Sequence, residues 1–286
     1  MSGSSARKLK RAHANLLAGR AWTLRLHPLT HGECGSLFSL DKALRRGTLP
    51  SVYLEDTDEG AWGTLKAYAE TYLREEIEAE ALLRSAGPFL RFLPLAASEC
   101  GNLISFSSVA RETGTSHHTV KEYFRILEET LIGFFLLPYA KSARKRLVKH
   151  PKFYFFDSGV ERVLAGRLTA SLERGSSEHG RSFEHFLIAE IRRLADYAGK
   201  ECSLSFYRTE AGAEVDLIVE SAEGPPVAIE IKASDCPHTS DLGGLWSFHE
   251  TRPEASLLCA SLAPRARDCG AIKILPWQDV FEHIGL

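Results

Sequence analysis

The chain lacks most of the features that would assign it at once to a compartment or a chemistry. Its 286 residues hold six cysteines, Cys34, Cys100, Cys202, Cys236, Cys259 and Cys269, with no Cys-x-x-Cys pair and no His/Cys ligand spacing. That scatter speaks against zinc and against a disulfide framework, and it fits reduced thiols. No apolar run is long enough to cross a bilayer, and the opening MSGSSARKLKRAHANLLAGR has no apolar stretch of the secretory kind. The expectation is a soluble, cytoplasmic protein with no membrane partner. An excess of one charge is missing too: 35 Lys and Arg face 37 Asp and Glu, a net charge of −2. No global field therefore points to nucleic acid, and any such contact must rest on local patches. The length exceeds what one core usually holds, so two or three domains are expected.

What the chain does have is charge placed where a strand pattern calls for core. The apolar run Val215 to Val219 reads as a buried strand, yet it contains Asp216, and a lone carboxylate there is costly without compensation. The next strand, Val227 to Lys232, alternates. Val227, Ile229 and Ile231 share one face, so Glu230 and Lys232 project together from the other. Two adjacent strands carrying these residues can gather two carboxylates and an ammonium around one point. That is the chemistry of a magnesium site with a lysine to orient or activate water. The plainer reading of Glu230 and Lys232 alone is a solvated ion pair on an exposed strand face.

With Glu184 in RSFEHFLIAEIRRL on a preceding helix, this arrangement resembles the PD-(D/E)XK nuclease superfamily. The resemblance implies a helix, a three-stranded sheet, and a further helix and strand. It also implies metal ligation by Asp216, Glu230 and Glu184, and assistance to an attacking water by Lys232. The preceding YRTEAGAE fits, with Tyr207 and Arg208 ending one strand and Gly212 in the turn. No proline directly precedes Asp216, so the motif departs from its literal name. Glu190, further along the helix, competes with Glu184 for its role.

The N-terminal stretch looks like the middle of a protein. Gly3-Ser4-Ser5 capping a basic helix, then Ala18-Gly19-Arg20 and a strand Trp22 to Leu26, resembles the end of the AAA ATPase module in bacterial and archaeal ATPases that continue into a C-terminal domain of unknown function. The resemblance implies that Ser4 or Ser5 closes the strand sensing the γ-phosphate and that Arg20 lies close by. A phosphate loop needs Gly-Lys-Ser/Thr, and the only Gly-Lys here is Gly199-Lys200, followed by Glu201. This chain alone is therefore expected neither to bind nor to hydrolyse ATP. A truncated product, a split gene with the ATPase half encoded separately, and a misplaced start all remain open.

Between these ends, Trp62 to Ser85 has helical spacing with an acidic face. Phe106 to Thr113, the turn Gly114 and the cap Ser116 read as a helix-turn-helix leading into His117 to Thr130. A strand Gly133 to Tyr139, a basic loop Lys141 to Lys149 and a returning strand Phe153 to Phe156 add a β-wing. A winged helix implies DNA contact, through His117, His118, Lys121 and Arg125 on the helix and Arg144, Lys145 and Arg146 on the wing. Glu122, Glu128 and Glu129 on the same helix favour protein docking instead. Val160 to Leu164 reads as a short helix and 166–181 as a linker.

The expected fold is mixed α/β. It comprises an ATPase remnant over 1–30, a helical region over 31–98, a winged helix over 99–168, and a restriction-endonuclease-like core over 169–286. Two functions compete: magnesium-dependent phosphodiester hydrolysis on nucleic acid, and a non-catalytic DNA-binding or regulatory module docking on a separately encoded ATPase.

Overall fold

The helices start where short polar side chains can take the first free amides. Thr30 and Glu33 form a capping box, and Ser39, Thr57, Ser105, Ser116, Asp157 and Ser176 each accept a backbone N–H of the following turn. The computed structural model describes residues 24–72, 86–140, 150–222 and 224–286. The architecture is mixed α/β, as the sequence implies, and it divides into two compact units. One runs to Phe135 and resumes over Phe153–Ala170; the other comprises Leu136–Lys152 and Ser171–Leu286.

The first unit is mainly helical. In chain order it holds α1 (His31–Cys34), α2 (Leu40–Arg46), α3 (Pro50–Tyr53), α4 (Asp58–Ala67), α5 (Ala86–Ser98), α6 (Phe106–Thr113), α7 (His117–Glu129) and, after the first strands, α8 (Ser158–Leu164). Helix α4 passes into a π-helical turn at Tyr68–Tyr72. The predicted helix-turn-helix is present as α6, Gly114 in the left-handed region at φ 65°, the Ser116 cap and α7. Its core is aromatic. Phe92 meets Phe124 at 4.8 Å, and Phe89 meets Tyr123 at 5.0 Å in an edge contact. The residues expected to be core on α7, Val120, Tyr123, Phe124, Ile126 and Leu127, are all buried.

One buried acid fastens this unit. Asp157 is fully buried; it accepts the N–H of Val160 at 3.1 Å as the α8 cap and that of Thr48 at 2.7 Å. Gly47, with φ 75°, lets the chain pass, since a Cβ there would lie 2.0 Å from the Asp157 carboxylate.

Strand β1 (Gly133–Pro138) starts where expected, and β2 (Lys152–Phe155) lies one residue earlier than the expected Phe153 to Phe156. From Leu136 onward, however, the chain belongs to the second unit, where Leu137 and Pro138 pair in parallel with Ser205 and Phe206. That unit contains α9 (Ser177–Tyr197), β3 (Cys202–Arg208), β4 (Glu214–Ser221), β5 (Val227–Lys232), α10 (Gly243–Thr251), β6 (Ser256–Ser261), β7 (Arg267–Cys269), β8 (Ile272–Pro276) and α11 (Asp279–His283). Its sheet runs β1-β3-β4-β5-β6-β8-β7. Strands β3, β4 and β5 form an antiparallel meander, and β6 joins β5 in parallel after the crossover helix α10. Leu242, Leu245 and Phe248 pack with Val215, Ile218 and Ala228. Gly244 permits that approach: a Cβ there would stand 1.7 Å from the Glu214 carbonyl oxygen.

Some expectations shift. Leu24 to Leu26 lie in no strand, so the predicted strand Trp22 to Leu26 does not form over its described part; Leu24 and Leu26 are almost fully exposed. The 166–181 linker ends early because Ser176 caps α9, making its last residues helical. The helix predicted over Trp62 to Ser85 starts at Asp58, where Thr57 caps it, and its part beyond Tyr72 lies outside the described residues.

Candidate functional site

The site is built on the β4–β5 pair. Leu217 pairs with Ile229, Ile218 with Ala228 and Val219 with Val227. Beyond Leu217 the ladder ends, because β4 carries a bulge at Asp216–Leu217 between the partners of Tyr207 and Ser205, and Asp216 and Glu230 meet there electrostatically. At this point the ladder gives way to a side chain: the Asp216 carboxylate accepts the N–H of Ile231 at 2.8 Å. Glu230 is buried, and its Oε1 accepts from the Lys232 ammonium at 2.7 Å. Its second oxygen, Oε2, is buried and has no hydrogen-bond partner among the described residues. Glu230 and Lys232 are therefore not the solvated pair that the plainer reading allowed.

Helix α9 supplies Glu184. Six residues separate it from Glu190, about 240° around a helix, so one helix cannot present both to the same point. Glu190 is fully buried and pairs with Arg193 at 3.3 Å, whereas Glu184 interacts electrostatically with Asp216 and Glu230. Of the two candidates, the fold thus brings Glu184 to the cluster.

Two further residues of the cluster were not foreseen. Lys152, at the start of β2, is buried with its side chain only 5% exposed, and its Nζ lies 3.2 Å from Glu184 and 2.8 Å from Glu214. The ammonium also sits 5.6 Å from the centre of the Phe206 ring. Glu214, at the start of β4, is shared with Arg208. A lysine directly before the aromatic run Phe153 to Phe155 was the available signal, because a strand buried on both faces has no solvent side for its ammonium.

Four carboxylates, Glu184, Glu214, Asp216 and Glu230, thus face Lys152, Lys232 and the half-exposed Arg208. The titration behaviour follows from that imbalance. Part of Asp216 remains accessible, but burial of its carboxylate, reinforced by Glu230 and Glu184, lifts it well above the usual aspartate range. Burial pushes Glu230 up to about 7 in spite of the adjacent Lys232 ammonium. Burial disfavours charge on Lys152, yet Glu184, Asp216 and Glu214 outweigh it and hold the amine above the ordinary lysine range. Lys232 is raised in the same way, Glu230 and Asp216 overcoming burial. On Glu214 burial acts upward, and Lys152 and Arg208 reverse it, leaving the carboxyl below the usual range. Cys259, paired with Glu230 across β5 and β6, is pushed up to about 12 by burial and by that carboxylate.

The donor set suits a hard divalent cation in kind: carboxylate oxygens, an excess of negative charge, and one buried oxygen without a partner. Asp216 and Glu230 are the two residues that could hold such an ion. Among the described residues no three His, Cys, Asp or Glu side chains already converge around one point, and Glu184 is drawn to Lys152. Magnesium commonly takes only one or two carboxylates and keeps several waters, so two ligands suffice.

The remaining candidates scatter. On α7, His117 and Lys121 are exposed, and Lys121 lies over Phe106 at 5.4 Å. Arg125 is exposed but occupied, bonding Glu122 at 2.9 Å and Glu129 at 3.0 Å. Arg144, Lys145 and Arg146 of the expected wing loop, and Ser4, Ser5 and Arg20 of the N-terminal stretch, lie outside the described residues. No described helix is long and apolar enough to cross a membrane.

Two family models match the chain: Domain of unknown function (DUF8612) over residues 37–171 and Domain of unknown function (DUF4143) over residues 179–279. The second contains Glu184, Glu214, Asp216, Glu230 and Lys232; Lys152 falls within the first. Uncharacterised proteins of Mycobacterium tuberculosis and Mycobacterium bovis are similar to it, each 28% identical over 239 residues, which is 83% of this chain and 53% of the relative. The chain spans about half the length of the curated relatives it matches. No solved structure matches it.

Proposed function

We propose that the chain carries a magnesium-dependent phosphodiesterase site of the PD-(D/E)XK kind within a nucleic-acid-associated protein. The observation that carries this reading is the buried Glu230 Oε2, without a hydrogen-bond partner among the described residues, in a carboxylate that pairs with Lys232 and interacts electrostatically with Asp216. When bound there, a magnesium ion would supply Lewis-acid polarisation of a phosphoryl oxygen and acidify a bound water. The chain's own residues do the rest. Asp216 and Glu230 provide the anionic seat, with Asp216 held in place by the Ile231 amide. Lys232, a third exposed and firmly cationic, acts as a donor that orients water or a phosphate oxygen, not as a general base.

The test pairs nicking of supercoiled DNA and of RNA with thermal melts in manganese. Wild type should cut and be stabilised by millimolar manganese, because only the folded state assembles the seat. Lys232→Ala should keep the stabilisation and lose cleavage. A melt indifferent to manganese, together with no cleavage of either nucleic acid, overturns the reading.

A second reading is favoured by one observation, the ion pairing of Glu184 and Glu214 to Lys152, which suits an acid cluster kept for structure. In it the chain is a non-catalytic DNA-binding or regulatory module that docks on a separately encoded ATPase, with α6 and α7 as its DNA-facing helices.

A further inference from the structure

The Lys152 ammonium is a buried cation held between two carboxylates, Glu184 and Glu214, and it also interacts electrostatically with Asp216. Two-metal phosphodiesterases hold their ions roughly 3.5–4 Å apart among shared carboxylates. Here the carboxylates divide into two sets. Asp216 and Glu230 make one, with the unpartnered Glu230 oxygen left over. Glu184 and Glu214 make the other, and both are already within ion-pair distance of Lys152, at 3.2 and 2.8 Å. The lysine cannot easily leave. Its side chain is 5% exposed, its head packs over Phe206, and an ammonium enclosed at that depth persists only while paired. A lysine is also the right cation for two carboxylates at once, being a compact point charge with three donors.

We propose that Lys152 is a positioning residue: a tethered cation that occupies the second cation position, holds Glu184 and Glu214, and limits the site to one exchangeable divalent ion at Asp216 and Glu230. This rests on the reading of Asp216 and Glu230 as the ligands of that ion. Lys152 itself touches no reacting group, and its effect passes through the two carboxylates it fixes.

The experiment is isothermal titration of the metal-free full chain with manganese chloride alone, accompanied by thermal melts. Wild type should take up about one equivalent, the mononuclear count. Lys152→Met, which keeps the stem and removes the charge, should take up a second. That gain should vanish when Glu184→Gln is added, and Lys152→Arg should stay at the wild-type stoichiometry. If Lys152→Met takes up no more manganese than wild type, the proposal is overturned. Should that variant fail to fold without metal, it is refolded with millimolar manganese. Recovery of a cooperative melt supports the proposal, and failure to recover overturns it. The two readings fail separately: a wild type that binds no manganese and cuts nothing removes the phosphodiesterase reading and the one-ion site with it, while a wild type that binds one manganese and a Lys152→Met that binds no second one overturns only the role of Lys152.

Discussion

The carboxylate of Asp216 takes the backbone N–H of Ile231 at 2.8 Å, so the residue that crowds Glu230 electrostatically also ties its own strand to the next. The two roles pull in opposite directions. The hydrogen bond stabilises the strand pair, and the charge opposes it whenever no cation is present.

Asp216→Asn should separate them. Its side-chain carbonyl can keep accepting from Ile231 while the repulsion with Glu230 disappears. Without metal the variant should melt no lower than wild type, and higher by up to about 2 kcal/mol of stability, a common trade at functional sites. It should also lose any manganese-induced rise. A metal-free melt several degrees below wild type would show that the charge is already compensated.

Glu230 sets a pH dependence. Its folded pKa, about 7, lies above the ordinary 4.5, so the folded state binds the extra proton between those values. Stability from this group is then complete below the unfolded pKa and falls as pH rises from about 4.5 to 7, by roughly 2 kcal/mol after allowing for its coupling to neighbours. Urea titrations across that range should show the decline in wild type, and Glu230→Gln should remove it.

Gly244→Ala should be strongly destabilising, by about 3 kcal/mol, because the new methyl meets the rigid Glu214 carbonyl oxygen at 1.7 Å. Helix α10 would have to shift off β4, disturbing the start of the strand that carries Asp216. Near-wild-type urea denaturation would show that the helix can move without cost.

Asp157→Ala should cost about 2–4 kcal/mol, since it removes the α8 cap and leaves the buried Thr48 N–H without its acceptor. Asp157→Asn should cost less, as one acceptor oxygen remains. Equilibrium unfolding monitored by far-UV circular dichroism distinguishes the two.

If the helix-turn-helix contacts DNA, the salt dependence of binding should come from the wing. Replacing Lys145 and Arg146 by Ala should flatten the slope by about one phosphate contact each. Arg125→Ala should leave it nearly unchanged, since Glu122 and Glu129 already engage that guanidinium. Fluorescence anisotropy over a salt series reads both.

Strands β4 and β5 were legible because period-two alternation and a carboxylate within an apolar run are local signals. The helix-turn-helix was legible for the same reason: Gly114 and the Ser116 cap mark the turn directly. Lys152 was not, because its partners Glu184 and Glu214 come from distant parts of the chain, and only the folded sheet shows that β2 has no solvent side for an ammonium. The helices α1 to α3 fall in the region expected to be helical but could not be placed one by one, because each is two turns or fewer, too short for a periodic pattern. Their caps, Thr30 and Ser39 among them, were the remaining trace. The expected strand Trp22 to Leu26 fails over its described part since apolar residues alone do not make a strand without a neighbour to pair with.

Cys259 turns the site into its own reporter. Its thiol is buried in β6 beside Glu230 and kept protonated far above neutral pH, whereas Cys236 is exposed. An alkylating reagent will therefore mark Cys236 at once and Cys259 only during the moments when the sheet around the acid cluster opens. The labelling rate of that one sulfur is a clock for how often the centre of the second unit breathes, readable by mass spectrometry without a ligand, a substrate or an introduced probe.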